Sequence, residues 1–167
     1  ITSAVPGGYD VYSGTSMAAP NMAGAVALLR QYLKTANPTL TGVELNARVN
    51  QVLMSTATIA LNDEGNPYSP RKQGAGLAGI ADAINAESYI TVKDKDGNVR
   101  DKAKVELYDD KLKTGIYEFE FTINNISGRA EEYDPIVYVM TETLASDNKT
   151  VAEKAYMLSD STIEYFV

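Results

Sequence analysis

Tyr12-Ser13-Gly14-Thr15-Ser16-Met17-Ala18-Ala19-Pro20 opens the longest helical pattern in the chain, and the reading of the first half turns on it. After Ser16, Met17, Met22, Val26, Leu29 and Leu33 recur at helical steps among many alanines, and no breaker follows Pro20 until Asn37-Pro38. The expectation is a helix from Ser16 to Tyr32 with Pro20 in its first turn. A serine at such an entrance places its hydroxyl and backbone N–H at the positive end of the helix dipole, where a developing oxyanion is stabilised. Gly14 leaves room for a substrate or another backbone to approach, and Ala18 and Ala19 keep the surroundings small. Residue chemistry alone also allows a plainer role, because serine is a preferred helix cap. Spacing therefore leaves nucleophile and cap both open.

Working outward, a second helix is expected from Thr41 as cap, with Glu44 as capping-box partner, through Leu45, Val49, Val52 and Leu53, fading by Thr56. Asn62-Asp63-Glu64-Gly65-Asn66-Pro67 is turn-rich, and Gln73-Gly74-Ala75-Gly76-Leu77 leads into a short helix from Ile80 to Asn85. The Gly74/Gly76 pair lacks the third spaced glycine and the lysine of a phosphate loop, which favours helix-to-core packing over phosphate binding.

Near Glu87–Tyr89 the composition changes. Residues 1–88 hold 9 of the 12 glycines and carry a net charge of −1, whereas residues 89–167 carry −6 and 10 of the 14 Phe and Tyr residues. That is a shift toward the aromatics of pleated surfaces, and it marks a domain boundary. Strands are expected at Tyr89–Lys93, Ala103–Tyr108, Gly115–Ile123 and Ile136–Met140, with turns at Asp94–Asn98, Asn124–Gly128 and Asp147–Lys149. Strands spaced this way without helices between them imply an antiparallel sandwich, and four tyrosines, Tyr108, Tyr117, Tyr133 and Tyr138, are expected to fill it. The second half is shorter than the roughly 100 residues of an immunoglobulin-type sandwich, so final strands are expected beyond it.

Composition excludes several functions. The chain is 44% hydrophobic, enough for a real core, and its net charge of −7 without any basic run argues against nucleic-acid binding. No window reaches the roughly 20 apolar residues of a membrane span, and the start at Ile1 has neither an initiator Met nor a signal-peptide layout, so a longer parent protein is expected. There is no Cys, hence no thiolate nucleophile or disulfide framework, and no His, hence no histidine base in these residues.

The heptapeptide Gly14-Thr15-Ser16-Met17-Ala18-Ala19-Pro20, followed by Met22-Ala23-Gly24, closely resembles the nucleophile motif of subtilisin-like serine proteases. Arg71-Lys72-Gln73-Gly74-Ala75-Gly76-Leu77 resembles the closing part of that catalytic domain, so the likeness spans roughly residues 1–88. A following acidic β module is similar to the Gram-positive cell-envelope proteases of the lactocepin and C5a-peptidase group. The resemblance implies an α/β subtilisin-like domain fragment, mainly helical here, at 1–88, then an all-β fibronectin type III-like sandwich, truncated, at 89–167. It implies peptide-bond hydrolysis through an acyl-enzyme at Ser16, with the Ser16 N–H as one oxyanion donor and Gly14, Thr15, Met17, Ala18 and Pro20 as the supporting motif. In this family the Asp and His of the triad precede the serine by a long way, so these 167 residues alone are expected to be nearly inactive. Asn21 stands where the family usually has a histidine that is not the base. The implied partners are protein or peptide substrates, and the implied location is secreted or at the bacterial cell surface, with wall association through regions outside this chain. No cofactor is expected, and calcium is left to the parent protein. A non-catalytic adhesive module or a pseudoprotease is the alternative.

Other clusters read as structure first. Asp109-Asp110 and Glu131-Glu132 would point to opposite faces of a strand, which favours solvated turns or edges over a calcium site. Asp94, Asp96, Gly97 and Asn98 echo part of a calcium loop without its downstream glutamate, which favours a turn. Asn125-Ile126-Ser127 and Asn148-Lys149-Thr150 match the glycan-acceptor pattern, one with a high chance rate.

Overall fold

A computed structural model describes residues 1–144, residue 146 and, as backbone, Val151–Met157. Helix α1 spans Thr15–Ala36, one residue earlier and four later than the sequence pattern suggested. It stops at Asn37, because the residue before a proline is driven out of the helical region. Lys34 fastens that end, its Nζ donating to the carbonyls of Pro38 at 2.6 Å and Leu40 at 3.0 Å, where a cation also suits the helix dipole. Pro20 is the sixth helical residue and not in the first turn, so the Ser16 carbonyl lacks the N–H that would normally bond to it from four residues on.

Helix α2, Gly42–Ser55, starts after Thr41 as expected, but the capping box does not close. The Thr41 side chain makes no cap bond, and only its carbonyl accepts, from the N–H groups of Glu44 and Leu45. A short α3, Pro70–Gln73, follows the Ser69 cap, whose Oγ accepts the Arg71 N–H at 3.2 Å, and α4 is Ile80–Ile84. The Ser-Pro pair at 69–70 was the available sequence signal for α3. Leu29 and Leu33 of α1, Leu45, Val49, Val52 and Leu53 of α2, Ala83 of α4 and Tyr89 form the buried core. Each large apolar side chain there contributes about 1.5–3 kcal/mol by leaving water.

The loop from α2 to α4 is held by backbone. Thr58 and Leu77 pair in both directions, at 2.9 and 2.7 Å, and the Gln73 side chain accepts the Ala60 N–H while donating to its carbonyl. Gly76 is required at this crossing: its φ is +125° and a Cβ would lie 2.3 Å from the Thr58 carbonyl oxygen. The expected helix-to-core packing of this glycine pair is thus replaced by a close backbone crossing.

Among the described residues the strands form three separate two-stranded antiparallel sheets. β1 (Thr2–Val5) pairs with β2 (Gly8–Val11) ahead of α1, and this hairpin packs on no other element. β3 (Ser88–Val92) pairs with β4 (Phe121–Asn125) with Ile90 opposite Ile123, and β5 (Tyr138–Leu144) pairs with β6 (Val151–Met157). The antiparallel pairing matches expectation; a sandwich is not seen in the described residues. Ala103–Tyr108 is not a strand, and of Gly115–Ile123 only the end joins β4. Tyr108 and Lys113 adopt left-handed backbone at φ 56° and 53°, which interrupts the extended chain. The tyrosines follow suit: Tyr108, Tyr117 and Tyr133 are exposed and Tyr138 is half-buried, so they do not build the expected core. The Asp147–Lys149 turn and the Asn148 acceptor lie outside the described residues.

Candidate functional site

Gly14 is the N-cap of α1, at φ 140°, a conformation that L residues rarely adopt. Its carbonyl accepts the N–H groups of Met17 at 3.2 Å and Ala18 at 3.0 Å. Thr15 and Ser16 are therefore the first two helical residues, and Ser16 is not the cap. The first N–H groups of a helix have no intrahelical acceptor, so the Ser16 N–H and Oγ share one free, electropositive end. Ser16 is exposed, as are Thr15, Ala18, Ala19 and Pro20, with Met17 half-buried beneath them. Asn21, the departure from the motif, is exposed as well. This arrangement supplies a hydroxyl and an anion-stabilising N–H on one residue, with Gly14 and small alanines beside them. It holds no histidine base, since no histidine exists in the sequence.

The other sequence candidates are engaged in holding turns. Asp94 Oδ1 accepts the N–H groups of Asp96 and Asn98, both at 2.9 Å, and the Asn98 bonds keep its carboxyl below the ordinary range. Asp110 Oδ2 accepts from the Gly115 N–H at 2.7 Å and from Thr114 Oγ1 at 3.1 Å, and the Gly115 bond lowers its pKa. Glu106, not a sequence candidate, is likewise held low by the Lys104 ammonium 2.9 Å away. Glu131 pairs with Arg129 Nε at 2.7 Å, off the line of a hydrogen bond. Asn125 is exposed, but its Nδ2 donates to the Arg129 carbonyl at 2.7 Å and its Oδ1 accepts from Ser127. No group of three or more metal-ligating side chains lies among the described residues, and no described helix is long and apolar enough to cross a membrane. A cavity of about 390 Å³ lies between α1 and α2 beside Arg30, Lys34, Thr41 and Leu45, away from Ser16.

Residues that sequence reading did not single out join the two halves. Arg48 lies over the Tyr89 ring at 4.2 Å, Gln51 Nε2 donates to the Arg100 carbonyl at 2.7 Å, and Ser55 Oγ accepts the Ile90 N–H at 2.8 Å. Their spacing along α2 was the signal: 48, 51 and 55 lie on one helix face beside the apolar row. The boundary expected at residues 88 and 89 runs beside this packed contact.

Residues 2–76 match the Subtilase family. The C5a peptidase of Streptococcus pyogenes serotype M3 is 34% identical over 148 residues, covering 88% of this chain and 12% of that protein. The minor extracellular protease Vpr of Bacillus subtilis is 38% identical over 86 residues, 52% of this chain and 10% of Vpr. The PII-type proteinase of Lactococcus lactis subsp. cremoris is 41% identical over 88 residues, 47% of this chain and 5% of that protein. The chain thus spans about an eighth or less of the length of these relatives.

Proposed function

The chain belongs, through residues 2–76, to the subtilase family, and on that premise we propose that it is a section of a serine-type endopeptidase in which Ser16 is the nucleophile. The observation that carries this reading is the position of Ser16: an exposed second residue of a 22-residue helix, beside a glycine cap, within the matched stretch. In the reaction, Ser16 Oγ attacks the scissile carbonyl while a base takes its proton. The Ser16 N–H steadies the tetrahedral oxyanion, the C–N bond breaks, and the amine leaves with a proton. Water then hydrolyses the ester and restores Ser16. The base and its orienting carboxylate come from residues of the longer protein, because these 167 residues have no histidine; alone, they are nearly inactive.

Residues 1–88 are read as the later part of the peptidase domain, and residues 89–167 as the start of a fibronectin type III-like domain. The 148-residue likeness to the C5a peptidase, which extends past the family stretch, supports a shared second part. A secreted protein acting on protein substrates fits relatives named as an extracellular protease and as peptidases, with the cell wall as the proposed site of retention. The test is cleavage of casein by the full-length protein and its Ser16→Ala variant. Cleavage lost in the variant supports the reading; equal cleavage by both, or none by a folded full-length protein, overturns it in favour of another nucleophile or an adhesive role.

A further inference from the structure

Helix α2 has two working faces. Leu45 and Val49 face the α1 residues Leu29 and Leu33 within one buried cluster, while Arg48, Gln51 and Ser55 reach the β half. Gln51 is 4% exposed, an unusual setting for an amide, and its donor is spent on the Arg100 carbonyl, 49 residues away. Ser55 works in both directions: its hydroxyl donates to the Gln51 carbonyl at 2.7 Å and accepts the Ile90 N–H at 2.8 Å. Arg100 N–H in turn donates to the Val92 carbonyl at 2.8 Å. The Ile90–Ser55 and Arg100–Val92 bonds satisfy backbone groups of β3 that face away from β4. Buried polar groups with unmet partners are costly, so each bond holds its neighbour in register.

We infer that Gln51 and Ser55 form a latch that makes β3, through Arg100, part of one cooperative unit with α1 and α2, so that the β half sets the pose of the helix carrying Ser16. The two are positioning residues, acting through α2. The inference that this pose affects chemistry rests on the nucleophile reading of Ser16; the coupling itself does not.

The test compares the full-length protein with its Ser55→Ala, Ser55→Thr and Gln51→Leu variants by native-state hydrogen exchange, with the rate of fluorophosphonate labelling measured alongside. Expected is faster exchange of the Ile90 and Arg100 amides by about 10-fold in Ser55→Ala and Gln51→Leu, with α1 amides near Leu29 accelerated in step. Ser55→Thr, which keeps the hydroxyl, restores protection. Ile90 exchange unchanged in Ser55→Ala, or accelerated while α1 stays as protected as before, overturns the latch. If Ser55→Ala fails to fold, Gln51→Leu and the Ser55→Thr comparison still decide. Labelling that slows with the loosened latch and recovers in Ser55→Thr ties the latch to Ser16. Coupled exchange in a protein that never labels overturns the nucleophile reading and leaves the latch standing.

Discussion

The two ends of α1 differ sharply. At one end Ser16 is exposed with Thr15, Ala18 and Ala19 beside it in the first turn, and the adjacent β1–β2 hairpin packs on no other described helix or strand. About 20 Å along, at 1.5 Å per residue, Leu29 is 0% exposed and Leu33 is buried against α2. The second end supplies stability and the first presents chemistry. Exposed apolar residues at the first end, Tyr9, Val11 and Met22, and Leu28 farther along α1 are the surface expected of a helix that has fewer neighbours than its sequence is suited to. In the proposed reading, that surface is where the rest of the catalytic domain packs.

Ways to break this contrast run from activity to small shifts in stability. Ser16→Ala in the full-length protein is expected to lower peptide hydrolysis on the order of 10⁶-fold, the scale known for triad serines, while leaving the melting temperature within the error of the wild type. In the 167-residue chain alone, Leu29→Ala is expected to cost about 2–5 kcal/mol and its neighbour Leu28→Ala, at 58% exposure, less than about 0.5 kcal/mol, as read by urea denaturation. Similar values for both would mean that α1 is buried on more sides than described. Among glycines, Gly76→Ala is expected to destabilise by about 2 kcal/mol, since its Cβ meets the Thr58 backbone at positive φ. Gly24→Ala, in the open part of α1 with nothing within 4 Å, is expected to stabilise by about 0.5–1 kcal/mol in the same assay.

The smallest effect concerns pH. Asp110 lies below its ordinary value of 3.8 because the Gly115 N–H favours the charged form. A lowered folded-state pKa adds stability that is present above the ordinary value and is lost as pH falls through the lowered one. Asp110→Asn should therefore reduce the melting temperature slightly at pH 7, by an amount that shrinks as the pH falls below 3.8. A difference that grows toward low pH would contradict this sign.

Legibility in the sequence followed the same division. The two long helices carry apolar residues at helical spacing and have Pro38 and Thr41 as punctuation, so their existence followed from local rules; the errors were at their ends, where Gly14 caps in place of Ser16 and the Thr41 side chain makes no bond. In the second half, alternation at Gly115–Ile123 signalled extended chain, but pairing depends on distant partners that alternation does not name. The left-handed Tyr108 and Lys113, neither a glycine, gave no local warning. Gln51 and Ser55 share one face of α2 by their spacing, but a polar residue on a helix reads as surface until the strand that covers it is known. Ser16 itself was legible as a candidate through its motif, while its distinction from a cap needed the helix start.

The most direct test of Ser16 as nucleophile is fluorophosphonate labelling of three samples: the full-length protein, its Ser16→Ala variant, and the 167-residue chain alone. The expected result is labelling of the full-length protein, its loss in the variant, and little or none in the isolated chain, which has no histidine. Ser16-dependent labelling of the isolated chain would show that the base is not supplied from elsewhere, and a folded full-length protein that does not label would contradict the assignment of Ser16.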